Sequence, residues 1–219
     1  MERKMFPQFI EQLALHKVVP VIALEDASRA KDLAGALVAG GLPVAEVTFR
    51  VKGAAQTIET MAQRGDVLVG AGTVRNLEQA KAAQGAGASF LVTPGFSSSV
   101  VDWALEQDMP ILPGIDSTLG LEMALERGLK TVKFFPATAS GGLAKLKALK
   151  GPYGDVQFCP TGGICVGNLA EWLTFPSVVA CGGSWLVAPK LLEAGEWEEV
   201  ARLSAEAVSI ASQVKEPNS

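Results

Sequence analysis

A lysine, Lys133, stands in the middle of the apolar run Thr131-Val132-Lys133-Phe134-Phe135-Pro136. The run reads as a buried strand, where an ammonium without a partner is costly. A desolvated lysine that gives up its proton is a nucleophile that forms Schiff bases with carbonyl substrates. A second polar set lies in Val44-Ala45-Glu46-Val47-Thr48-Phe49-Arg50. Side chains alternate along a strand, so Glu46, Thr48 and Arg50 share one face while Val47 and Phe49 share the other. By the same rule Thr131, Lys133 and Phe135 share a face. A carboxylate opposite an amine is either a structural ion pair or a base beside a nucleophile. Buried pairs seldom stabilise a fold more than packed apolar residues would, which favours the catalytic reading.

Two glycine clusters form the next signal, Thr161-Gly162-Gly163 and Gly182-Gly183-Ser184. Glycine lets backbone N–H groups approach an anion closely, and a following helix start adds a favourable dipole. One glycine pair alone means only a tight turn, and Ser184 alone reads equally as an N-cap. Two pairs, each after a strand, point to a bound phosphate. Thr73 in Gly70-Ala71-Gly72-Thr73 and Pro94 in Thr93-Pro94-Gly95 are either rim residues or ordinary turn residues. The single histidine, His16, reads as a surface or packing residue. No His pair or His/Asp/Glu cluster has ligand spacing, so no metal and no cofactor is expected.

These residues need elements to hold them. Runs rich in β-branched residues recur at 18–24, 44–50, 67–73, 90–95, 110–115, 131–137, 156–163 and 178–184. Ala/Leu/Glu-rich helical patterns lie between them, as at Ala27–Ala39, Asn76–Gln84, Ser98–Gln107 and Leu119–Arg127. Strand-then-helix alternation implies a parallel sheet with helices outside. Eight units fit a single closed (β/α)8 TIM barrel, with Met5–His16 as an extra N-terminal helix capping its floor. An open doubly wound sheet is the alternative. In a barrel the second and sixth strands feed a common layer, so Glu46 and Lys133 would face each other across the lumen. Phosphate sites in barrels sit after strands seven and eight, where the glycine pairs fall.

With no linker or composition break in 219 residues, one domain spanning 1–219 is expected. A net charge of −4 with scattered Lys and Arg gives no basic stripe, so nucleic acid is not an expected partner. Cys159, Cys165 and Cys181 lack zinc spacing, read as small core residues, and suit a reducing cytoplasm. The segment Met1–Leu15 carries Glu2, Arg3, Lys4 and Glu11 and builds no signal-peptide core. No run approaches the roughly 18 apolar residues that span a bilayer. A soluble, cytoplasmic protein is expected.

Taken together, VKFFPA around Lys133, AEVTFR around Glu46, GAGTV at Gly70–Val74, VTPGF at 92–96, CPTGGI at 159–164 and GGSWL at 182–186 resemble one family. It is that of the 2-keto-3-deoxy-6-phosphogluconate aldolases, class I bacterial enzymes that also handle 4-hydroxy-2-oxoglutarate. The likeness covers about residues 8–200 in order and spacing. It implies a (β/α)8 barrel, a homotrimer, no metal, and cleavage of the keto-acid phosphate to pyruvate and glyceraldehyde 3-phosphate. It makes Lys133 the Schiff-base lysine and Glu46 the general acid/base. Arg50 and Thr73 fall where the family binds the keto-acid carboxylate, and Pro94 and Phe135 where it packs the pyruvyl part. Thr161, Gly162, Gly163 and Ser184 match its phosphate site, with Gly182 and Gly183 beside them. The sibling aldolase for the galactonate epimer and a non-imine phosphosugar isomerase, decarboxylase or synthase are the rival readings. A binding protein that does not consume the sugar phosphate leaves the Glu46–Lys133 pair unexplained. Two departures, Asp116-Ser117-Thr118 after strand five and Thr138 where many members have Glu, bear on substrate preference rather than on the reaction.

Overall fold

A computed structural model of the protein describes residues 5–214. Glu2, Arg3 and Lys4, and the outermost residues of the expected 1–219 span, lie outside the described residues. The chain begins with α1 (Met5–His16) and then alternates strands with helices. The strands are β1 (Val18–Ile22), β2 (Val44–Thr48), β3 (Leu68–Gly72), β4 (Leu91–Val92), β5 (Ile111–Leu112), β6 (Gly114–Ile115), β7 (Thr131–Phe134), β8 (Gln157–Pro160) and β9 (Cys181–Gly183). Between and after them come α2 (Ala30–Ala39), α3 (Ala54–Arg64), α4 (Leu77–Gly85), α5 (Ser98–Glu106), α6 (Thr118–Leu125), α7 (Gly142–Lys150), α8 (Leu169–Leu173), α9 (Pro189–Ala194) and α10 (Trp197–Gln213). Every described strand pairing is parallel. None of the described helices is long and apolar enough to cross a membrane.

The strands form a six-stranded ladder, β5-β4-β3-β2-β1-β9, and a three-stranded one, β6-β7-β8. The sequence predicts one strand at 110–115; Pro113 divides it into β5 and β6. Proline has no N–H to add to the ladder. Its carbonyl still accepts from the Lys133 N–H at 2.9 Å. On the other side, β8 meets β9 through isolated bridges, Phe158 to Val178 and Thr161 to Gly182. The remaining strands are also shorter than their sequence patterns, losing carboxyl-end residues to the loops and, in β3, β4, β8 and β9, amino-end residues as well.

Register sets which residues lie level. Glu46 pairs with Val21 on one side and Gly70 on the other. Lys133 pairs with Gly114 and Cys159. The alternation read from the sequence holds in β2, where Val47 is fully buried among the apolar core and Glu46 and Thr48 are buried polar residues. Asn76 caps α4 through its side chain, and Ser117 caps α6. Gly65 and Gly195 end α3 and α9 in the left-handed conformation that only glycine adopts freely.

At the amino-terminal end of the strands, α1 closes the interior. Phe9 stacks on Phe90 with ring centroids 4.7 Å apart, and Leu13 is fully buried. Leu13, Val19, Phe90, Leu112, Cys159 and Ala180 meet beneath Glu46 and Lys133, leaving a void of about 10 Å³. That is the smallest volume a water could occupy, and its lining is mostly apolar.

The Phe90 ring occupies the space where Gly70 lacks a side chain, and a Cβ there would run into three atoms of that ring. Gly70→Ala is therefore expected to lower folding stability by about 1–3 kcal/mol through overpacking. Chemical denaturation of the two proteins measures it; an unchanged midpoint would contradict this packing.

Candidate active site

Glu46, Arg50, Thr73, Lys133, Thr161, Ser184 and the two glycine pairs line one cavity of about 290 Å³ at the carboxyl ends of the strands, whereas Thr48, Thr131 and His16 do not. At its base, Lys133 Nζ lies 3.0 Å from Glu46 Oε1 and 3.4 Å from Oε2. Both residues are nearly inaccessible, 5% and 3% exposed. One strand from each ladder delivers them, β2 and β7. Gly72 makes the room, because a Cβ there would strike the Glu46 carboxylate. The Phe135 ring stands with its centroid 5.4 Å from Lys133 Nζ and forms one wall of the cavity. Pro94 and Val21 add apolar surface.

Arg50 lies just past the end of β2 and is exposed at the rim. Its Nε donates to Thr48 Oγ1 at 3.1 Å, and the Thr48 hydroxyl donates to the Ile22 carbonyl at 2.7 Å. A side chain on β2 thus ties the arginine to the backbone of β1. Thr73 stands beside it with φ at +54°, an outlying conformation for a β-branched residue. Such strain collects where surrounding structure holds a residue for use.

The opposite rim is backbone. Gly162 and Gly163 have φ of +103° and +78°, the left-handed region open to glycine. Among the described residues, the N–H groups of Gly163, Ile164 and Ser184 donate to no protein acceptor. Backbone donors left unpaired along one edge of a cavity are suited to an anion. Ser184 precedes a short 3-10 turn, Trp185–Val187, but its side chain makes no capping hydrogen bond. Gly182 lies against Thr161, where a Cβ would collide with the threonine hydroxyl.

The two departures from the family pattern sit apart. Thr138 packs on the glycine loop: its N–H donates to the Gly162 carbonyl at 3.0 Å, and a Cβ on Gly163 would meet its hydroxyl. The Asp116 backbone carbonyl accepts from Lys145 Nζ in an adjoining groove that shares Pro94 and Phe135 with the cavity. Sequence reasoning placed Thr48 on the inner face but assigned it no task, and it missed Val21, Ile164 and Asn168. The inward alternation of Thr48 was its only visible signal. A second cavity, about 300 Å³, lies by Arg29 and Pro189. There Arg29 is engaged with the Leu192 and Glu193 carbonyls and with Asp26. Among the described residues, no group of three His, Cys, Asp or Glu side chains could hold a metal ion.

The strand arrangement and this cavity define an α/β enzyme whose polar groups gather at the carboxyl ends of parallel strands. The family model for the KDPG and KHG aldolases matches residues 9–203, and the chain belongs to that family. The 2-dehydro-3-deoxy-phosphogluconate aldolase of Haemophilus influenzae is 47% identical over 204 residues, covering 93% of this chain and 96% of the relative. The 2-keto-3-deoxy-6-phosphogluconate aldolase of Zymomonas mobilis ZM4, solved with 3-phosphoglycerate, superposes with a TM-score of 0.86 at 39% identity, covering 92% of this chain and 95% of that one. The KDPG aldolase of Legionella pneumophila superposes with a TM-score of 0.87 at 37% identity, covering 89% and 95% of the two chains. In that structure pyruvate is captured at low pH as a covalent carbinolamine intermediate.

The cysteines divide by location. Cys159 and Cys181 are buried in β8 and β9, whereas Cys165, expected in the core, is exposed beyond the glycine loop. Burial pushes the Cys159 thiol up to about 12, and pushes Cys181 up as well. Thiolate is the reactive form, so iodoacetamide at pH 8 is expected to modify one thiol in the folded protein and three after unfolding. Mass spectrometry reads the count, and a second thiol reacting as fast in the folded protein would refute the burial.

Proposed function

We propose that the protein is a metal-independent class I aldolase that cleaves 2-keto-3-deoxy-6-phosphogluconate to pyruvate and glyceraldehyde 3-phosphate. The same chemistry extends to 4-hydroxy-2-oxoglutarate. The observation that carries this reading is the buried Lys133–Glu46 contact of 3.0 Å at the base of a cavity rimmed by unpaired N–H groups and a guanidinium. Family membership and the carbinolamine in the Legionella enzyme support it.

The contact suits proton exchange at each step. Glu46 takes a proton from Lys133 Nζ, and the neutral amine attacks the C2 ketone. The proton passes to the carbinolamine oxygen, Glu46 then carries a second proton from the nitrogen to the same oxygen, and that oxygen departs as water and leaves a protonated imine. Glu46, again a carboxylate, takes the C4 hydroxyl proton as the C3–C4 bond breaks. The bonding pair flows into the imine, the aldehyde leaves, and the enamine gains a proton at C3 from Glu46. Water then hydrolyses the imine to pyruvate and regenerates the amine. Arg50 offers a planar fork for the substrate carboxylate with Thr73 beside it. Phe135 and Pro94 pack the pyruvyl part. Thr161, Gly162, Gly163, Gly182, Gly183 and Ser184 receive the phosphate.

The proposal includes a closed eight-stranded barrel formed as one domain. Its supports are the division of a single strand at Pro113, the bridges between β8 and β9, and the convergence of side chains from both ladders on one interior void. A homotrimer in the cytoplasm follows from the family likeness and the three unpaired cysteines. The galactonate epimer is the less supported substrate, because the Haemophilus relative is named for the gluconate. An isomerase or synthase that forms no imine leaves the buried lysine without a task.

Incubation with pyruvate and borohydride is expected to add one reduced pyruvyl group to the wild-type chain, read by intact mass. Lys133→Ala should lose the adduct and essentially all turnover. Removing one member of a buried pair costs about 3–5 kcal/mol, so the reading is made on protein whose near-UV circular dichroism is native. Glu46→Gln should still trap pyruvate but turn over roughly 10²–10⁴-fold more slowly. Full labelling of folded Lys133→Ala protein would falsify the assignment.

A further inference from the structure

Among the described residues, one side chain outside the cavity lining hydrogen-bonds the glycine loop on the phosphate side of the cavity. Asn168 Nδ2 donates to the Gly163 carbonyl at 2.9 Å, and Asn168 Oδ1 accepts from the Cys165 N–H at 2.9 Å. A carbonyl needs a donor and an N–H needs an acceptor, so the two partners also determine which end of the amide faces which group. One half-buried asparagine thereby clamps the backbone on both sides of Ile164.

The consequence for an anion follows from peptide geometry. In a trans peptide the C=O and the next N–H point in opposite directions. Holding the Gly163 carbonyl toward Asn168 therefore turns the Ile164 N–H to the other side, and Ile164 lines the cavity. A carbonyl oxygen facing a phosphate would repel it. Gly163, with φ at +78° and no Cβ, has the freedom to rotate its carbonyl inward if nothing restrains it. The Asn168 amide supplies that restraint. It also occupies the Cys165 N–H, so the donors of Gly163, Ile164 and Ser184 are the ones left for an anion.

We propose that Asn168 is a positioning residue that makes the enzyme selective for phosphorylated over unphosphorylated substrates by keeping the Gly163 carbonyl turned out of the phosphate site. This rests on the aldolase reading above. It predicts an effect confined to the phosphate end, because Asn168 has no contact with Lys133 or Glu46.

The test is aldol addition of pyruvate to D-glyceraldehyde 3-phosphate and to D-glyceraldehyde, two acceptors that differ only in the phosphate. Asn168→Ala is expected to lower kcat/KM with the phosphorylated aldehyde about tenfold, mainly through KM, which is the scale of losing two ordinary hydrogen bonds. With glyceraldehyde the rate should stay within about twofold of wild type, a contrast that a general loss of structure would not produce. A second measurement needs no turnover: the variant should require about tenfold more inorganic phosphate than wild type for the same rise in melting temperature. Equal losses with both aldehydes, or an unchanged phosphate response, would overturn the role of Asn168. Wild-type protein that turns over neither aldehyde, paired with a phosphate response that weakens in the variant, would sink the aldolase reading and keep this one.

Discussion

A pair of ionisable side chains almost closed off from solvent is the constraint from which the rest of the structure follows. Lys133 and Glu46 meet at 3.0 Å inside the strand assembly, each nearly inaccessible. Desolvating two ions is costly, and an apolar pair of similar volume would often serve the fold as well or better. The surroundings accommodate the pair rather than profit from it. Gly72 gives up a side chain so that the carboxylate fits, and Gly114, level with Lys133 in the neighbouring strand, lets the Thr93 and Pro94 backbone lie where a Cβ would strike it. Leu13, Phe9 and Phe90 close the amino-terminal side, leaving the carboxyl-end cavity as the approach for a reacting molecule.

The two ends of the cavity are built from different materials. The pair that exchanges protons stands on strands, whose ladders hold it to a contact distance. The anion-facing rim is loop backbone, whose donors are aimed by glycine conformations and by one asparagine. Strand-borne groups suit chemistry that fails when displaced by an ångström. Loop-borne donors suit binding, and binding energy from a remote phosphate can be spent on orienting the reacting carbon atoms. The Thr138 departure belongs to the second group, since it packs on Gly163 and hydrogen bonds to Gly162.

Particular residues show how far the sequence could be read. Period-two alternation placed Glu46 and Thr48 inward and Val47 outward, because a residue on a strand has only two directions to point. The glycine pairs were visible because few backbones need two consecutive residues without a Cβ. Strand ends were not visible. Phe49, Phe135 and Thr161 lie beyond the strands that their sequence patterns include, yet their N–H groups still bond to Gly72, Ile115 and Phe134 carbonyls. Where a ladder stops depends on the neighbouring chain, which local composition does not encode. Asn168 and the exposed Cys165 were missed for a related reason. The link from Asn168 to Gly163 exists only because the loop folds back on itself, and no periodicity announces it.

Arg50 illustrates how a binding group can be oriented without being neutralised. Among the described residues it forms no ion pair, and its guanidinium is steadied by a neutral hydroxyl, Thr48 Oγ1, at 3.1 Å. A carboxylate in that place would hold the arginine more strongly but would compete with the substrate's own carboxylate for the fork. Thr48 can do this because its proton is already committed to the Ile22 carbonyl at 2.7 Å, which leaves a lone pair for Nε. The Nη groups keep their charge and donors for an incoming acid. The site therefore places its one strong pairing, Lys133 with Glu46, where protons must move, and leaves the rim cation unpaired where a substrate must bind.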